Sequence, residues 1–403
     1  MSTAEKAAAY LRDLTAFPDR HVGGEGNRAA TALFAEAMRS CGYEVRKTLF
    51  DCIEWEYGEA SIEVGGEALL LNVGPYSMAV DERAPLAAVS TVEELEALGA
   101  ASEPRVVLLH GEIASGQLMP KNFVWYNPDE HKRIYRALER VSPVAVLAAT
   151  GRDASLVGSQ YPFPLFEDGD FDVPNAYLTD VEGERLLAHA GEQAKVRIDS
   201  TRIPTVAEHV VALKPGRSAK RIVISAHIDS RKGSPGALDN ASGVVTVVLL
   251  AEMLEGRSFE YTLEFVPFNG EDNYANPGEM LWAGENEGHF DEIALNVNID
   301  DSGQRDSDNH VSFYGCPEEF TEVATAAMAG RARIAEGPQW FQGDHMIAVQ
   351  AGRPALAVAS SEMERFMAEY AHSERDTIEL ADPQLIADTA EYLADVIGRL
   401  PLL

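Results

Sequence analysis

Apolar residues recur at helical spacing from Ala7 to Phe17 and again from Asn27 to Met38, where Gly42 ends the run. A polar, glycine-bearing loop, Asp19-Arg20-His21-Val22-Gly23-Gly24, separates the two, and Tyr43-Glu44-Val45 beyond them reads as a strand. The texture changes from about Phe50 to Ile203. Short apolar runs such as Val106-Val107-Leu108-Leu109 and Ala145-Val146-Leu147-Ala148 alternate with turns there, and one polar helix is predicted over roughly Asp129 to Arg140. Proline- and acid-rich loops follow, Tyr161-Pro162-Phe163-Pro164 and Glu167-Asp168-Gly169-Asp170. After Pro204 apolar strands alternate with helices. Strands are expected at Arg221–Ala226, Tyr261–Phe268, Leu295–Ile299 and Ala355–Ala359, and helices at Gly243–Leu254, Glu319–Ala329 and Pro383–Leu400. That alternation predicts an α/β fold, a three-layer sandwich around a mixed, mostly parallel central sheet. The N-terminal helices share its texture, so residues 1–48 and 206–403 are expected to form one discontinuous domain, with residues 49–205 an inserted β-rich domain.

The length of 403 residues agrees with two domains at ~100–200 residues each. With 65 acidic and 33 basic side chains the net charge is −32, a field that repels phosphate. It excludes a non-specific nucleic-acid binder or a protein of anionic membranes. Solubility, high-salt adaptation and attraction of cations to an acidic cleft all accommodate the charge. The N-terminus shows no secretory h-region, and no segment approaches the ~18–20 consecutive apolar residues of a membrane span. Cys41, Cys52 and Cys316 are too scattered for a disulfide framework or a thiolate zinc site. A cytoplasmic protein is expected, although a secreted chain stripped of its signal would read the same.

Acids and histidines fall repeatedly at the C-terminal ends of the apolar strands, the edge where open α/β sheets bind ligands. His227-Ile228-Asp229 follows one strand and Asp239-Asn240-Ala241-Ser242-Gly243 opens the next helix. Asn269-Gly270-Glu271-Asp272 follows a second strand, Asn298-Ile299-Asp300-Asp301 closes another, and Ala371-His372-Ser373 precedes the last helix. Each alone is an ordinary polar turn. Together they bring several carboxylates to one edge, where repulsion demands a cation. Two imidazoles with carboxylates and no thiolate suit Zn²⁺, with Co²⁺ or Mn²⁺ as substitutes. Five ligands exceed the needs of one catalytic zinc. One shared carboxylate gives two ions three protein ligands each, the two-metal hydrolase arrangement with ions roughly 3.5–4 Å apart.

These motifs resemble the co-catalytic di-zinc aminopeptidases, a superfamily that includes aminopeptidase Y, glutamate carboxypeptidase, the transferrin receptor and glutaminyl cyclase. The likeness continues through Gly343-Asp344-His345, Gly352-Arg353-Pro354-Ala355-Leu356 and His372-Ser373-Glu374-Arg375-Asp376-Thr377. Within the insert, Val173-Pro174-Asn175-Ala176-Tyr177-Leu178 resembles the protease-associated domain of many members. The resemblance implies two zinc ions per chain, His227 and Asp300 on one, Asp272 and His372 on the other, and Asp239 bridging them. It implies that Glu271 is the general base and then the general acid, acting on a metal-bridging water to cleave peptide bonds from one end. Asp229 would hold His227 in its metal-binding tautomer, and Asp376 would act similarly near His372. A cis peptide at Asp239-Asn240 is implied as well.

Asp272 departs from the family, which commonly carries glutamate there; one methylene fewer requires the second site to shift by about a bond length or to bind more weakly. The implied partner is a peptide, with no nucleic acid and no membrane; a homo-oligomer stays open. Two other readings stand beside the exopeptidase: a glutaminyl-cyclase-like single-zinc acyltransferase, whose relatives typically lack the run kept here at Asp239 to Gly243, and a non-catalytic binding protein with the same fold. Asp344 and His345 lie in a segment that lines the substrate pocket in relatives, or form a polar turn. Tyr370, beside His372, is placed to steady a tetrahedral intermediate or simply to pack. Trp282 and Trp340 read as core or rim aromatics.

Overall fold

Runs of valine, isoleucine and phenylalanine in the second half of the chain pair into one sheet. The protein is described by a computed structural model over residues 1–17, 19–100, 103–153, 157–275 and 277–401. Within it Arg221–His227 lies between Thr262–Phe268 and Ile293–Ile299, parallel to both. Ile293–Ile299 continues parallel to Ala355–Ser360, which pairs antiparallel with Asn309–Tyr314, and that strand pairs parallel with Ile334–Glu336. At the other side Ala212–Lys214 adds an antiparallel partner to Thr262–Phe268. The sheet is therefore mixed and mostly parallel.

Strand periodicity sends alternate residues to opposite faces. Ile222, Ile224, Leu263, Phe265, Val297 and Val358 share one core with helices Thr3–Thr15, Glu25–Ser40, Ser242–Leu254, Glu318–Met328 and Pro383–Arg399. On the opposite face Phe268 meets Trp282 of helix Gly278–Glu285 edge-on, with ring centroids 5.2 Å apart. Ala355, Ala357 and Tyr314 pack there with Trp340 and Val349, the latter in helix His345–Gln350. Helices on both faces complete the three layers. The run Ala237–Leu254 is apolar enough by composition to cross a membrane, yet 89% of it is buried inside the protein, which marks it as the core helix of the sandwich.

The chain folds as two compact units, Met1–Cys52 with Val206–Leu403, and Ile53–Thr205. In the second unit Val106–Leu109 runs parallel between Val80–Val89 and Ala145–Thr150, and Asn175–Thr179 extends the sheet from the latter. Helix Asp129–Val141 supplies Ile134, Tyr135 and Leu138 to its core, where Tyr135 meets Phe166 and Phe171 edge-on. Helix Asp180–Leu187 is not evident from apolar spacing; it starts on a capping box between Thr179 and Glu182. Two strands, Glu44–Val64 and Gln193–Lys214, run far longer than the sequence pattern suggests.

Strand register sets the chemistry of one edge. His227 pairs with Phe268, and Asn298 with Ser225 and Ala357, so the segments after His227, Phe268 and Ile299 all leave the sheet at the same side.

A buried leucine on the core helix tests this packing. Leu250 has no exposed surface, so Leu250→Ala should cost about 2–5 kcal/mol. Leu49, 65% exposed, should cost within about 0.5 kcal/mol when replaced by alanine. Denaturant unfolding of the intact chain measures both, and equal costs would refute the assignment of the core.

Candidate metal centre

Each donor side chain is delivered by a rigid element or by the first residues beyond one. His227 is the last residue of its strand, Asp300 follows Ile299, and Glu271-Asp272 lies just past Phe268. Asp239 sits in the turn that leads into helix Ser242–Leu254, after a cis peptide to Asn240. His372 comes from the loop after helix Met363–Glu369 and holds a left-handed φ of 60°, a conformation that costs a non-glycine residue about 1–3 kcal/mol.

Two groups of donors result. Nε2 of His227 stands 3.1 Å from Oδ1 of Asp239 and 3.2 Å from Oδ1 of Asp300. Nε2 of His372 stands 3.1 Å from Oδ2 of Asp239 and 2.9 Å from Oδ1 of Asp272. In each group the donor atoms lie within 4.8 Å of one another, and Asp239 belongs to both, one oxygen to each. Tetrahedral bonds of about 2.0–2.1 Å put neighbouring donors roughly 3.3 Å apart, so these spacings suit a zinc-sized ion. The shorter Asp272 still reaches His372. Its Oδ2 and the Nδ1 of His372 are buried without a hydrogen-bond partner. The donor set therefore fits two ions sharing one carboxylate.

A shell of hydrogen bonds fixes these donors. His227 Nδ1 lies 3.2 Å from the backbone carbonyl of Asp229, while the Asp229 carboxylate is 3.8 Å from the ring. That carboxylate instead accepts from the backbone N–H of Gly270 and from the N–H and side-chain amide of Asn273, tying the His227 loop to the Glu271 loop. Asp376 differs from its expected role as well. It accepts from the backbone N–H of Leu238 and Asp239, at 2.9 and 3.0 Å, and so orients the bridging residue rather than His372. Arg20 is 1% exposed and donates to the carbonyls of Ile228, Pro235 and Gly236 at 3.0, 2.7 and 2.8 Å. Gly236, at φ 58°, must be glycine, because a Cβ there would sit 2.6 Å from the Arg20 guanidinium. Arg20 was not recognisable as a site residue from its polar loop.

The charges are strongly coupled. Burial opposes ionisation of His227, yet Asp300 and Asp239 carry its pKa well above the ordinary value. Burial likewise opposes protonation of His372, while Asp272 and Asp239 raise it to about 10. Burial raises Glu271 well above the usual carboxylate range, and Asp300, Asp272 and Glu279 add to it. Burial also raises Asp301, helped by Asp300 and Asp239. Such a concentration of buried acid is stable at neutral pH only with protons or cations in it.

Residues 209–397 match the model of Peptidase family M28. A probable leucine aminopeptidase of Arthroderma benhamiae is 24% identical over 297 residues, 70% of this chain and 80% of the relative. The aminopeptidase from Aneurinibacillus sp. strain AM-1 superposes with a TM-score of 0.76 at 20% identity, over 98% of this chain and 93% of the other. BSAP, a zinc aminopeptidase from Bacillus subtilis, gives 0.72 at 18% identity, over 98% and 94%.

In this domain Asp344 and His345 are buried at the start of helix His345–Gln350, and Gly343 before them lies against Asp300. His345 Nε2 lies 3.2 Å from the Trp340 carbonyl, and burial lowers the ring's pKa to about 4. Tyr370 ends helix Met363–Glu369 and packs, partly buried, against the main core. Trp282 is core, as expected, and donates to Glu264 at 3.0 Å. Glu279 and Arg231 also lie near the donors without having been singled out by motif. The Arg231 Nε is 3.7 Å from Asp272, and its guanidinium stacks over Tyr274.

Metal ligation requires neutral imidazole, so an ion entering the site must displace protons from His227 and His372. The metal-bound form carries fewer protons, so apparent zinc affinity should rise with pH up to about 10, the pKa of His372 in the metal-free chain. Titrating zinc into chelator-stripped protein, in buffers of different ionisation enthalpy, should detect proton release that diminishes in His372→Ala. Release unchanged by that substitution would contradict the geometry.

Arg20→Met removes three hydrogen bonds from the loop that joins His227 to Asp239. Chelator competition should show zinc affinity lowered about 10–100-fold, with Arg20→Lys intermediate. Wild-type affinity in Arg20→Met would show that the loop holds itself.

Proposed function

We propose that the M28 domain is a di-zinc exopeptidase, most simply an aminopeptidase, that hydrolyses peptides. The observation that carries this reading is Asp239, whose two carboxylate oxygens each face a different imidazole–carboxylate pair. His227, Asp239 and Asp300 would hold one zinc, and Asp239, Asp272 and His372 the other. Zinc bound there supplies Lewis acidity, which lowers the pKa of water toward about 7 and polarises the scissile carbonyl. The family of the domain points to peptide substrates. Aminopeptidases among its relatives favour the amino terminus over the carboxyl terminus as the end attacked. The inserted unit, residues 53–205, is read as protease-associated-like on its sequence resemblance alone.

The protein's own part in catalysis is proton transfer and positioning. Glu271 approaches His227 Nε2 at 3.9 Å with Oε2, too far to be a partner of that ring. Its side chain is 21% exposed where the donors around it are nearly sealed, so Glu271 is the acid that faces an incoming substrate. Its carboxylate takes the proton from the attacking water and passes it to the leaving amine. Ionised, it is the base; loaded with that proton, it is the acid. Asp229, Asp376 and Arg20 keep the two loops and the bridging aspartate in register while the charge moves.

Substituting the two adjacent acids separates their roles. Glu271→Gln keeps the shape but cannot accept a proton. Its zinc content and melting temperature should stay near wild type while kcat on a leucyl anilide falls about 10²–10⁴-fold with KM little changed. Asp272→Asn should instead lose zinc from the second group and recover activity partly as zinc is added. If Glu271→Gln loses metal while Asp272→Asn keeps two ions, the roles are reversed. If zinc-loaded protein trims no member of a peptide library, read by mass spectrometry, the exopeptidase reading itself fails.

A further inference from the structure

One buried cation faces a ligand of the second donor group. Arg231 is 6% exposed, and its Nε lies 3.7 Å from Oδ1 of Asp272. That same oxygen stands 2.9 Å from His372 Nε2. Asp272 joins Asp239 and His372 in the second group and has no part in the first. Arg20 is placed differently, since its hydrogen bonds end on the backbone carbonyls of Ile228, Pro235 and Gly236.

The fold holds this charge where it is. Asn273, the neighbour of Asp272, donates from its side-chain amide to the Asp229 carboxylate and the Ser230 carbonyl, at 2.8 and 3.2 Å. Its backbone N–H reaches the same carboxylate at 3.1 Å. The turn after Arg231 closes on a bond from the Ser234 N–H to the Arg231 carbonyl at 2.9 Å. The loops of Arg231 and Asp272 therefore cannot part without breaking buried hydrogen bonds. The guanidinium also lies over the Tyr274 ring, 5.3 Å from its centroid. Arginine does not lose its proton in proteins, so the positive charge beside Asp272 is permanent. At 3.7 Å the contact is too long for a hydrogen bond, and Arg231 acts on Asp272 through charge rather than a directed bond.

We infer that Arg231 lowers the affinity of the second donor group for its ion, so that this ion is the one that exchanges with the medium. The inference rests on the two-metal reading and adds to it the residue that sets occupancy. A divalent ion on Oδ1 would share that oxygen with the guanidinium, and like charges so close in a buried site repel strongly. Little is gained in return, because the Asn273 bonds already position the loop that carries Asp272. The second group then fills only when free zinc is plentiful, and turnover follows zinc supply through one guanidinium.

Chelator-buffered zinc titration of the stripped chain, read by native mass spectrometry, counts the ions per chain and gives a constant for each step. Wild type should take up its first zinc at lower free zinc than its second. Arg231→Met removes the charge and keeps an apolar stem over Tyr274. It should tighten the second step about tenfold or more and leave the first nearly unchanged, the opposite sign to Arg20→Met. Arg231→Lys keeps the charge and should keep the wild-type constants. In a His372→Ala background, where the second group lacks its imidazole, Arg231→Met should no longer alter zinc affinity. Where circular dichroism shows the methionine variant unfolded, Arg231→Gln is held to the same criteria. Two zincs with a second constant unchanged or weakened overturn the proposal and leave the two-metal reading intact. Equal tightening of both steps, or tightening that survives His372→Ala, overturns it as well. A single zinc in both wild type and variant defeats the two-metal reading together with the proposal. A tightened second step without peptide turnover faults the exopeptidase reading alone.

Discussion

Like-charge repulsion between buried carboxylates is the constraint around which the domain carrying these donors is arranged. Asp239, Asp272, Asp300 and Glu271 meet at one sheet edge with Asp229, Asp301 and Asp376 behind them, all of them removed from bulk water except the partly exposed Glu271. Burial pushes Asp229, Glu271, Asp300, Asp301 and Asp376 toward the protonated form. Their opposition is met in three ways: by imidazoles, by backbone N–H groups and by the buried guanidiniums of Arg20 and Arg231. Asp239 turns one oxygen to each imidazole, so it belongs to both donor groups. The spacing of the two donor groups suits a pair of divalent cations.

Rigidity lets that opposition persist without the loops moving apart. The parallel ladder from Thr262–Phe268 through Ala355–Ser360 fixes where His227, Glu271 and Asp300 emerge. The N-terminal segment, remote in sequence, then locks the edge from outside. Arg20 grips the loop after His227, and Asn27 joins the Arg20 carbonyl to Asn269 at 3.0 and 2.7 Å. This explains why two helices preceding the insert belong to the catalytic unit. Their apolar faces enter the main core, and the loop between them carries Arg20, which holds the loop after His227.

The alternation of apolar strands and helices was sufficient to read the layered fold, because parallel strands buried on both faces leave continuous apolar runs. The metal donors were legible for a related reason: an acid or histidine directly after such a run can emerge only at the sheet edge. Arg20, Glu279 and Arg231 were not legible. Each acts through tertiary contact with residues far away in the chain, such as Arg20 with Gly236, and no local spacing signals that. Asp376 shows the same limit from the other side. Its motif position suggested His372, but the choice of acceptor is made by the fold, which brings the N–H groups of Leu238 and Asp239 to it. The long strands Glu44–Val64 and Gln193–Lys214 were underestimated because much of their length is exposed and polar.

The two halves of the centre are not mechanically equivalent. His227 and Asp300 extend from paired strands, and the backbone N–H of Asp300 still bonds to Val358 at 2.9 Å. His372 stands in a loop, in a left-handed conformation, and is held by short local bonds, Ser373 to the Tyr370 carbonyl at 2.6 Å and Asp376 N–H to the Ser373 carbonyl at 3.1 Å. Its partner Asp272 is the short acid of the set and also faces Arg231. The first half therefore has its geometry imposed by the sheet, whereas the second is held by loop contacts. Asp376 connects the two, since its backbone braces the His372 loop while its carboxylate orients Asp239. The His372 loop and the aspartate shared by both donor groups are thus held by one residue.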